Sequence, residues 1–200
     1  MNLAKIPPQS KWRLPNYVEM LKEIEKEASG EKLDIGCGRG EVTLALTKIT
    51  GIDISKYAEW NAAPGKFRVY EGLVPPLVKK YGTFIFNNSF EHVSDKARLV
   101  DSLKKMSPRA KIILIVPTTK YLRERYSQIP GQLLKKLTKG RADGIHLYLV
   151  HEPRIYGWNF LSEYIYYSDW HSAIAKYFVI KKSKPLDGGR HEFFVCRFKK

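Results

Sequence analysis

KLDIGCGRGEVTLAL, residues 32–46, decides how this chain is read. An apolar strand pattern runs into glycines at 36, 38 and 40, and a helical pattern follows at once. Glycines at alternate positions let the main chain turn sharply and approach a ligand with no side chain between. In an open α/β sheet the loop after the first strand lies where ligands bind, beyond the carboxyl ends of the strands. The dinucleotide fingerprint G-x-G-x-x-G would put its third glycine at 41, where Glu41 stands instead. A carboxylate in the first turn of a helix opposes an incoming pyrophosphate, and no G-K-S/T of a P-loop follows. The loop is therefore built for something other than phosphate.

Outward from the loop, strand and helix patterns alternate. Residues 16–28 predict a helix, with Asn16 and Glu19 spaced as a capping box. Strands are expected at 31–36, 49–54, 66–72, 83–88 and 110–117, and helices at 40–48 and 94–106, the second capped by Ser94. Such alternation calls for right-handed crossovers and a mostly parallel sheet. After residue 117 the pattern loosens. Residues 120–126 and 131–139 read as helices broken near Pro130 and Gly131, and 168–177 as another helix. Two strands, 178–182 and 191–198, are joined through the turn signal of Asp187, Gly188 and Gly189. The expected fold class is α/β, a doubly wound, mostly parallel seven-stranded sheet with helices on both faces and an insertion after the fifth strand.

Composition agrees with one ordinary domain. The chain has 200 residues, 44% hydrophobic and 12% aromatic, enough for a full core. No apolar run reaches the roughly 18 residues of a membrane span, and the first residues lack the apolar stretch of a secretory signal. Only Cys37 and Cys196 are present, and Cys37 lies in the glycine loop, so a disulfide framework is not expected. These features predict a reducing, cytoplasmic compartment. No Cys/His cluster has metal-ligand spacing, so no metal is expected. The net charge is +15 and uneven: residues 1–100 hold 15 Lys+Arg against 12 Asp+Glu, and residues 101–200 hold 20 against 8. The densest stretch, 120–141, has seven basic residues and one acidic, and it suits either a solvated surface or an anionic partner.

Two carboxylates sharpen the reading of the loop. Asp53 ends the second strand, where one acid can accept hydrogen bonds from both hydroxyls of a ribose. Asp34 adds negative charge two residues before the first glycine. A nucleoside carrying positive groups instead of phosphates fits both acids and the bare loop, and S-adenosyl-L-methionine is such a molecule. LDIGCGRG, GIDIS and YGTFIFNNSFEHV, in that order, resemble the motifs of class I S-adenosylmethionine-dependent methyltransferases, the type 11 group being the nearest match. The resemblance covers residues 31–117. It implies a Rossmann-like domain with an N-terminal helix region (1–30), a cofactor-binding core (31–117), an acceptor-covering insertion (118–165) and a C-terminal helix and strand pair (166–200).

By position, the resemblance places Asp34, Gly36, Cys37 and Gly38 around the methionine part of the cofactor. It assigns Asp53 to the ribose, Ile54 to the adenine face, Glu71, Gly72 and Leu73 to the adenine edge, and Asn87 to the side of the methyl donor. One departure is the pair Tyr81 and Gly82, where the family usually has Phe-Asp before its fourth strand. Cys37 has no evident base partner, so no nucleophilic role is assigned to it.

Methyl transfer is an in-line displacement at a carbon already activated by positive sulfur, and a base is needed only when the acceptor enters protonated. No fixed triad is visible. His92, with Glu91 beside it, follows the fourth strand, and His146 and His151 lie in the insertion. His92 and His146 are the candidates for acceptor deprotonation. Aromatic side chains crowd residues 148–170, suited to walling a flat acceptor, stacking on bases or packing the covering segment. The reading that leads is methyl transfer to a small molecule. RNA or DNA methylation through 120–141 is one alternative, although NNSF at 87–90 lacks both prolines of the Asn-Pro-Pro-aromatic motif. A non-catalytic cofactor-binding partner subunit is the other.

Overall fold

A computed structural model describes residues 14–70, 80–93, 95–118, 120–121, 138–141, 144–150, 161–166 and 169–200. Helix α1 (Leu14–Glu27) leads into β1 (Lys32–Ile35), α2 (Glu41–Ala45), β2 (Ile49–Asp53) and β3 (Phe67–Val69). Then come β4 (Thr83–Asn87), α3 (Lys96–Met106) and β5 (Lys111–Pro117). Strands β6 (Thr138–Arg141), β7 (Gly144–Val150) and β8 (Leu161–Tyr166) precede α4 (Trp170–Ala175), β9 (Phe178–Leu186) and β10 (His191–Phe198).

Seven strands form one sheet in the order β3-β2-β1-β4-β5-β10-β9. All neighbours are parallel except β10, which runs antiparallel to both β5 and β9. Chain order reverses at β1, which pairs with β2 on one side and β4 on the other. That reversal opens a crevice beyond the carboxyl ends of β1 and β4, and the glycine loop lies there.

Alternating side chains build a core on each face of the sheet. Phe84 and Phe86 of β4, Ile112 and Leu114 of β5, and Phe194 and Cys196 of β10 pack with Leu99 and Leu103 of α3 and Ile174 of α4. Ile85, Ile113, Ile115, Phe193 and Val195 point the other way, toward Met20, Leu21 and Ile24 of α1 and Val42 and Ala45 of α2. Full burial of one such side chain is worth about 1.5–3 kcal/mol, so β4 and β5, apolar on both faces, anchor the domain.

Several element ends differ from expectation for local reasons. Helix α1 begins at Leu14, ahead of Asn16, so Asn16 lies within the helix and is not its cap. Pro15 sits in the first turn, where the missing N–H would have no helical partner anyway. Helix α2 stops at Ala45, not at 48, because Leu46 is already extended and Lys48 takes a positive φ of 50°. Lys66 Nζ closes that end by donating to the carbonyls of Thr43 (3.1 Å) and Leu46 (2.9 Å). Helix α3 is capped by Asp95, whose carboxylate accepts from the Arg98 amide at 3.0 Å, so the cap stands one residue after Ser94, itself outside the described residues.

The largest correction falls in the stretch after β5. Residues 138 and 139, expected to be helical, are in β6, which pairs antiparallel with β7, and β7 with β8, as a separate three-stranded sheet. Thr138 and Gly140 are poor helix residues, and 144–150 alternates Ile145, Leu147 and Leu149 with His146 and Tyr148 at the period of a strand. The rest of the expected helices, 122–126 and 131–137, lies outside the described residues. No helix among the described residues is long and apolar enough to cross a membrane.

Candidate functional site

The loop after β1 is fixed from below. The amides of Gly36 and Cys37 both donate to the Ile52 carbonyl, at 2.9 and 3.0 Å, which draws the loop across the end of β2. Gly36, Gly38 and Gly40 have φ of 69°, 52° and 87°, in the region that favours glycine. A Cβ on Gly36 would come 2.6 Å from Ser89 Cβ, and one on Gly40 would come 2.5 Å from the Phe67 ring. Among the described residues, a Cβ on Gly38 would meet nothing within 4 Å. Gly38 is thus glycine for its backbone alone, and its main chain stands bare toward open space.

Asp53, at the end of β2, reaches this bare residue. Its Oδ2 accepts from the Gly38 amide at 2.8 Å and its Oδ1 from the Ser55 amide at 3.3 Å. Burial raises its pKa, and the backbone amides of Gly38, Ser55 and Ile54 pull in the opposite direction. Ile54, next in sequence, is 67% exposed, and Val69, opposite Asp53 in β3, is also exposed. Two apolar side chains thus flank the carboxylate at the surface. Glu71, Gly72 and Leu73 lie outside the described residues.

Asp34 and Cys37 are placed under the loop, not open to the crevice. Asp34 is 1% exposed. Its Oδ2 accepts from Thr43 Oγ1 at 2.8 Å, and its Oδ1 accepts nothing among the described residues. Burial, with Glu41 and Asp53 adding in the same sense, pushes its pKa up to about 7. The Cys37 thiol is buried toward Gly51, and burial drives its pKa far up, which leaves it inert as a nucleophile.

Across the crevice, β4 ends in a second polar turn. Ser89 Oγ donates to the Ile35 carbonyl at 2.6 Å and so ties this turn to β1. Asn87 Oδ1, Asn88 Oδ1 and Glu91 Oε2 are buried oxygens that accept no hydrogen bond among the described residues. Asn88 also takes a positive φ of 51°. A short 3-10 turn (Phe90–His92) follows, with β8 lying against it. Glu91 is 2% exposed, and burial pushes its carboxyl up to about 8, partly offset by Lys96. His92 is exposed on the same turn. His146 lies in β7, the middle strand of the small sheet, outside the residues whose side chains are described, as His151 is altogether.

Sequence reading passed over two residues that shape the site. Ser89 links the two turns, and Trp60, in a 3-10 turn (Ala58–Ala62), donates from Nε1 to the Gly38 carbonyl at 2.9 Å. No local sequence pattern marks either residue, since each acts on a partner far along the chain. No group of three or more metal-ligating side chains occurs among the described residues.

Residues 11–152 match a family model described as a methyltransferase domain, the group numbered 23. The resemblance to class I methyltransferases therefore holds at the level of the class, with group 23 as the matching model where group 11 was expected. No curated protein matches the chain. Among solved structures, PH0226 from Pyrococcus horikoshii OT3 is 18% identical, covers 98% of this chain and 93% of its own, and has a TM-score of 0.62. The glycopeptide N-methyltransferase MtfA, solved with (S)-adenosyl-L-methionine, is 14% identical over 91% of this chain and 87% of its own, at a TM-score of 0.57. An S-adenosylmethionine-dependent methyltransferase from Clostridium acetobutylicum ATCC 824 is 11% identical over 100% and 93%, at 0.56. At these identities the likeness is one of fold, the Rossmann-like sheet. The family match spans well over half of the sequence, and the chain belongs to the methyltransferase domain family.

Proposed function

We propose that this protein is an S-adenosylmethionine-dependent methyltransferase that acts on a small-molecule acceptor. The observation that carries the reading is the pairing of a bare main-chain residue, Gly38, with the Asp53 carboxylate at 2.8 Å, at the point where the sheet reverses its order. The cradle fits the cofactor by its own chemistry: open space over Gly38, an acid for a ribose diol, and exposed Ile54 beside it for an adenine face. When bound, the cofactor supplies a methyl group on positively charged sulfur.

The chain's residues do the rest by placement. The main chain at Gly38 receives the methionine part with no side chain of its own in the way. Asp53 spends one lone pair on each backbone amide and keeps others for ribose hydroxyls. Buried Asp34 contributes negative potential beneath the loop and makes no direct contact in this arrangement. Asn87, at the end of β4, borders the space where methyl donor and acceptor meet. The small sheet, set against the Phe90–His92 turn through β8, screens that space from water. His92 is the histidine placed to take a proton from an acceptor that enters protonated.

Nucleic acid as acceptor is the second reading, favoured by the +12 borne by residues 101–200 out of a total of +15. Calorimetry with S-adenosyl-L-methionine tests the cofactor. Binding is expected, and Asp53→Ala is expected to weaken it about 100-fold through loss of two charge-assisted hydrogen bonds. No binding at millimolar cofactor would overturn the enzyme reading. Transfer of labelled methyl into a cell extract then separates the acceptors. Label in the small-molecule fraction supports the proposal, and label in RNA or DNA with a steep salt dependence replaces it with the second reading.

A further inference from the structure

Gly38 has no side chain to hold its conformation, yet the peptide units on both sides of it are pinned. Its own amide donates to Asp53 Oδ2 at 2.8 Å, and its carbonyl accepts from Trp60 Nε1 at 2.9 Å. The first bond fixes the plane before its Cα and the second fixes the plane after it. The next residue is held as well, since Arg39 Nη1 contacts Glu59 Oε1 at 3.0 Å. Trp60 is itself locked: it is 5% exposed and stacks on Phe67 with centroids 4.9 Å apart and planes 9° from parallel. Phe67 in turn fills the space that a side chain on Gly40 or Gly51 would occupy.

We propose that Trp60, with Glu59 and Arg39, is a positioning clamp that holds the glycine loop in its ligand-receiving conformation and so sets cofactor affinity. This rests on the cofactor reading above. The physical basis is preorganisation. Glycine is the most permissive residue of the backbone, and a loop that samples several conformations loses affinity by the fraction of time it is misplaced. A packed indole that donates one hydrogen bond removes that freedom without occupying the space over Gly38. The Glu59 to Arg39 pair sits on the partly exposed flank and adds a smaller restraint.

The test compares the wild-type chain with Trp60→Phe and Glu59→Gln. Trp60→Phe keeps an aromatic ring on Phe67 and deletes only the donor to Gly38. Glu59→Gln leaves Trp60 in place and weakens the ion pair, so a folded variant is available if the first is lost to misfolding. Calorimetry with S-adenosyl-L-methionine is expected to show affinity about 5- to 10-fold weaker for Trp60→Phe and about 2-fold weaker for Glu59→Gln, with the melting temperature down by no more than about 5 °C. The chain has four tryptophans, so nitrogen-labelled protein gives one indole N–H signal for Trp60, assigned by its loss in Trp60→Phe. That signal is expected to shift when cofactor is added. Unchanged affinity in both variants, with an unmoved indole signal in a wild type that binds, overturns the clamp and leaves the cofactor reading intact. A wild type that fails to bind overturns both.

Discussion

The loop after β1 and the turn after β4 stand against each other at the crevice, tied by the Ser89 hydroxyl on the Ile35 carbonyl, and they treat their polar groups in opposite ways. In the first, Gly38 is bonded at both amide and carbonyl, both oxygens of Asp53 accept backbone amides, and Arg39 meets Glu59. In the second, Asn87, Asn88 and Glu91 each bury an oxygen that accepts nothing among the described residues, and Asn88 holds a left-handed backbone besides. A buried acceptor left unsatisfied costs about 1–3 kcal/mol. The loop side is therefore stiff and internally satisfied, and the turn side stores unfavourable energy of the kind that accumulates at working sites. Rigidity where the cofactor is proposed to rest and cost where the acceptor is proposed to approach is a division of labour that mutation can probe.

The largest effect is expected at the seam. Gly36 has φ of 69° and lies so close to Ser89 that an added Cβ would fall 2.6 Å from the serine Cβ. Gly36→Ala combines left-handed strain with overlap against a neighbour anchored by its own hydrogen bond. A loss of about 3–4 kcal/mol in urea unfolding is expected. Adding Ser89→Gly should recover about half of that by opening space. If Gly36→Ala alone is harmless, the two turns are not packed as described and the contrast between them loses its basis.

A smaller effect, reached through pH, belongs to Glu91. Its carboxyl sits at about 8 in the folded chain against an ordinary 4.5, so the folded chain keeps a proton that the unfolded chain has released. Stability from this group is complete below the unfolded value and is lost as pH climbs through the folded one. Glu91→Gln imitates the protonated acid at every pH. The variant should match the wild type near about pH 4 and exceed it by about 2 kcal/mol near about pH 9, the gain being limited by the high effective dielectric even of buried sites. Equal unfolding curves at both pH values would mean that the turn side carries no such cost.

What the sequence disclosed follows the range of each constraint. Strands β1, β2, β4 and β5 were legible because apolar periodicity is local, and the glycines at 36, 38 and 40 because a positive φ leaves few other choices. Asp53 was legible from its place at a strand end. Trp60 and Ser89 were not, since their partners lie 22 and 54 residues away and nothing in the intervening chain marks them. The ends of α1 and α2 were misjudged because Pro15 fits a first turn that needs no N–H, and because Lys66, far along the chain, donates to the carbonyls at the end of α2. The β6-β7-β8 sheet escaped notice because its strands, among the described residues, pair with one another and lack the long apolar runs that mark the main sheet.

Asp34 is the exception on the satisfied side, and it supplies the finest test. Read from the sequence it belongs beside the ligand; in the fold it is buried with Oδ1 unpaired and Oδ2 on Thr43. Burial first, then the nearby Glu41 and Asp53, raise its pKa from 3.8 to about 7, with the Thr43 hydroxyl opposing them. The sign matches that of Glu91: stability falls as pH rises from the unfolded value through about 7. Asp34→Asn keeps an acceptor for Thr43 and cannot ionise, so it should be more stable than the wild type by about 1 kcal/mol near about pH 8. Affinity for the cationic cofactor should move the other way. In the wild type it is expected to rise about 3-fold as Asp34 ionises across neutrality, and in Asp34→Asn it should stay flat. A variant that is both more stable and equally tight at about pH 8 would show that the buried charge serves no ligand. The loop would then work through the hydrogen bonds of Gly38 and Asp53 alone.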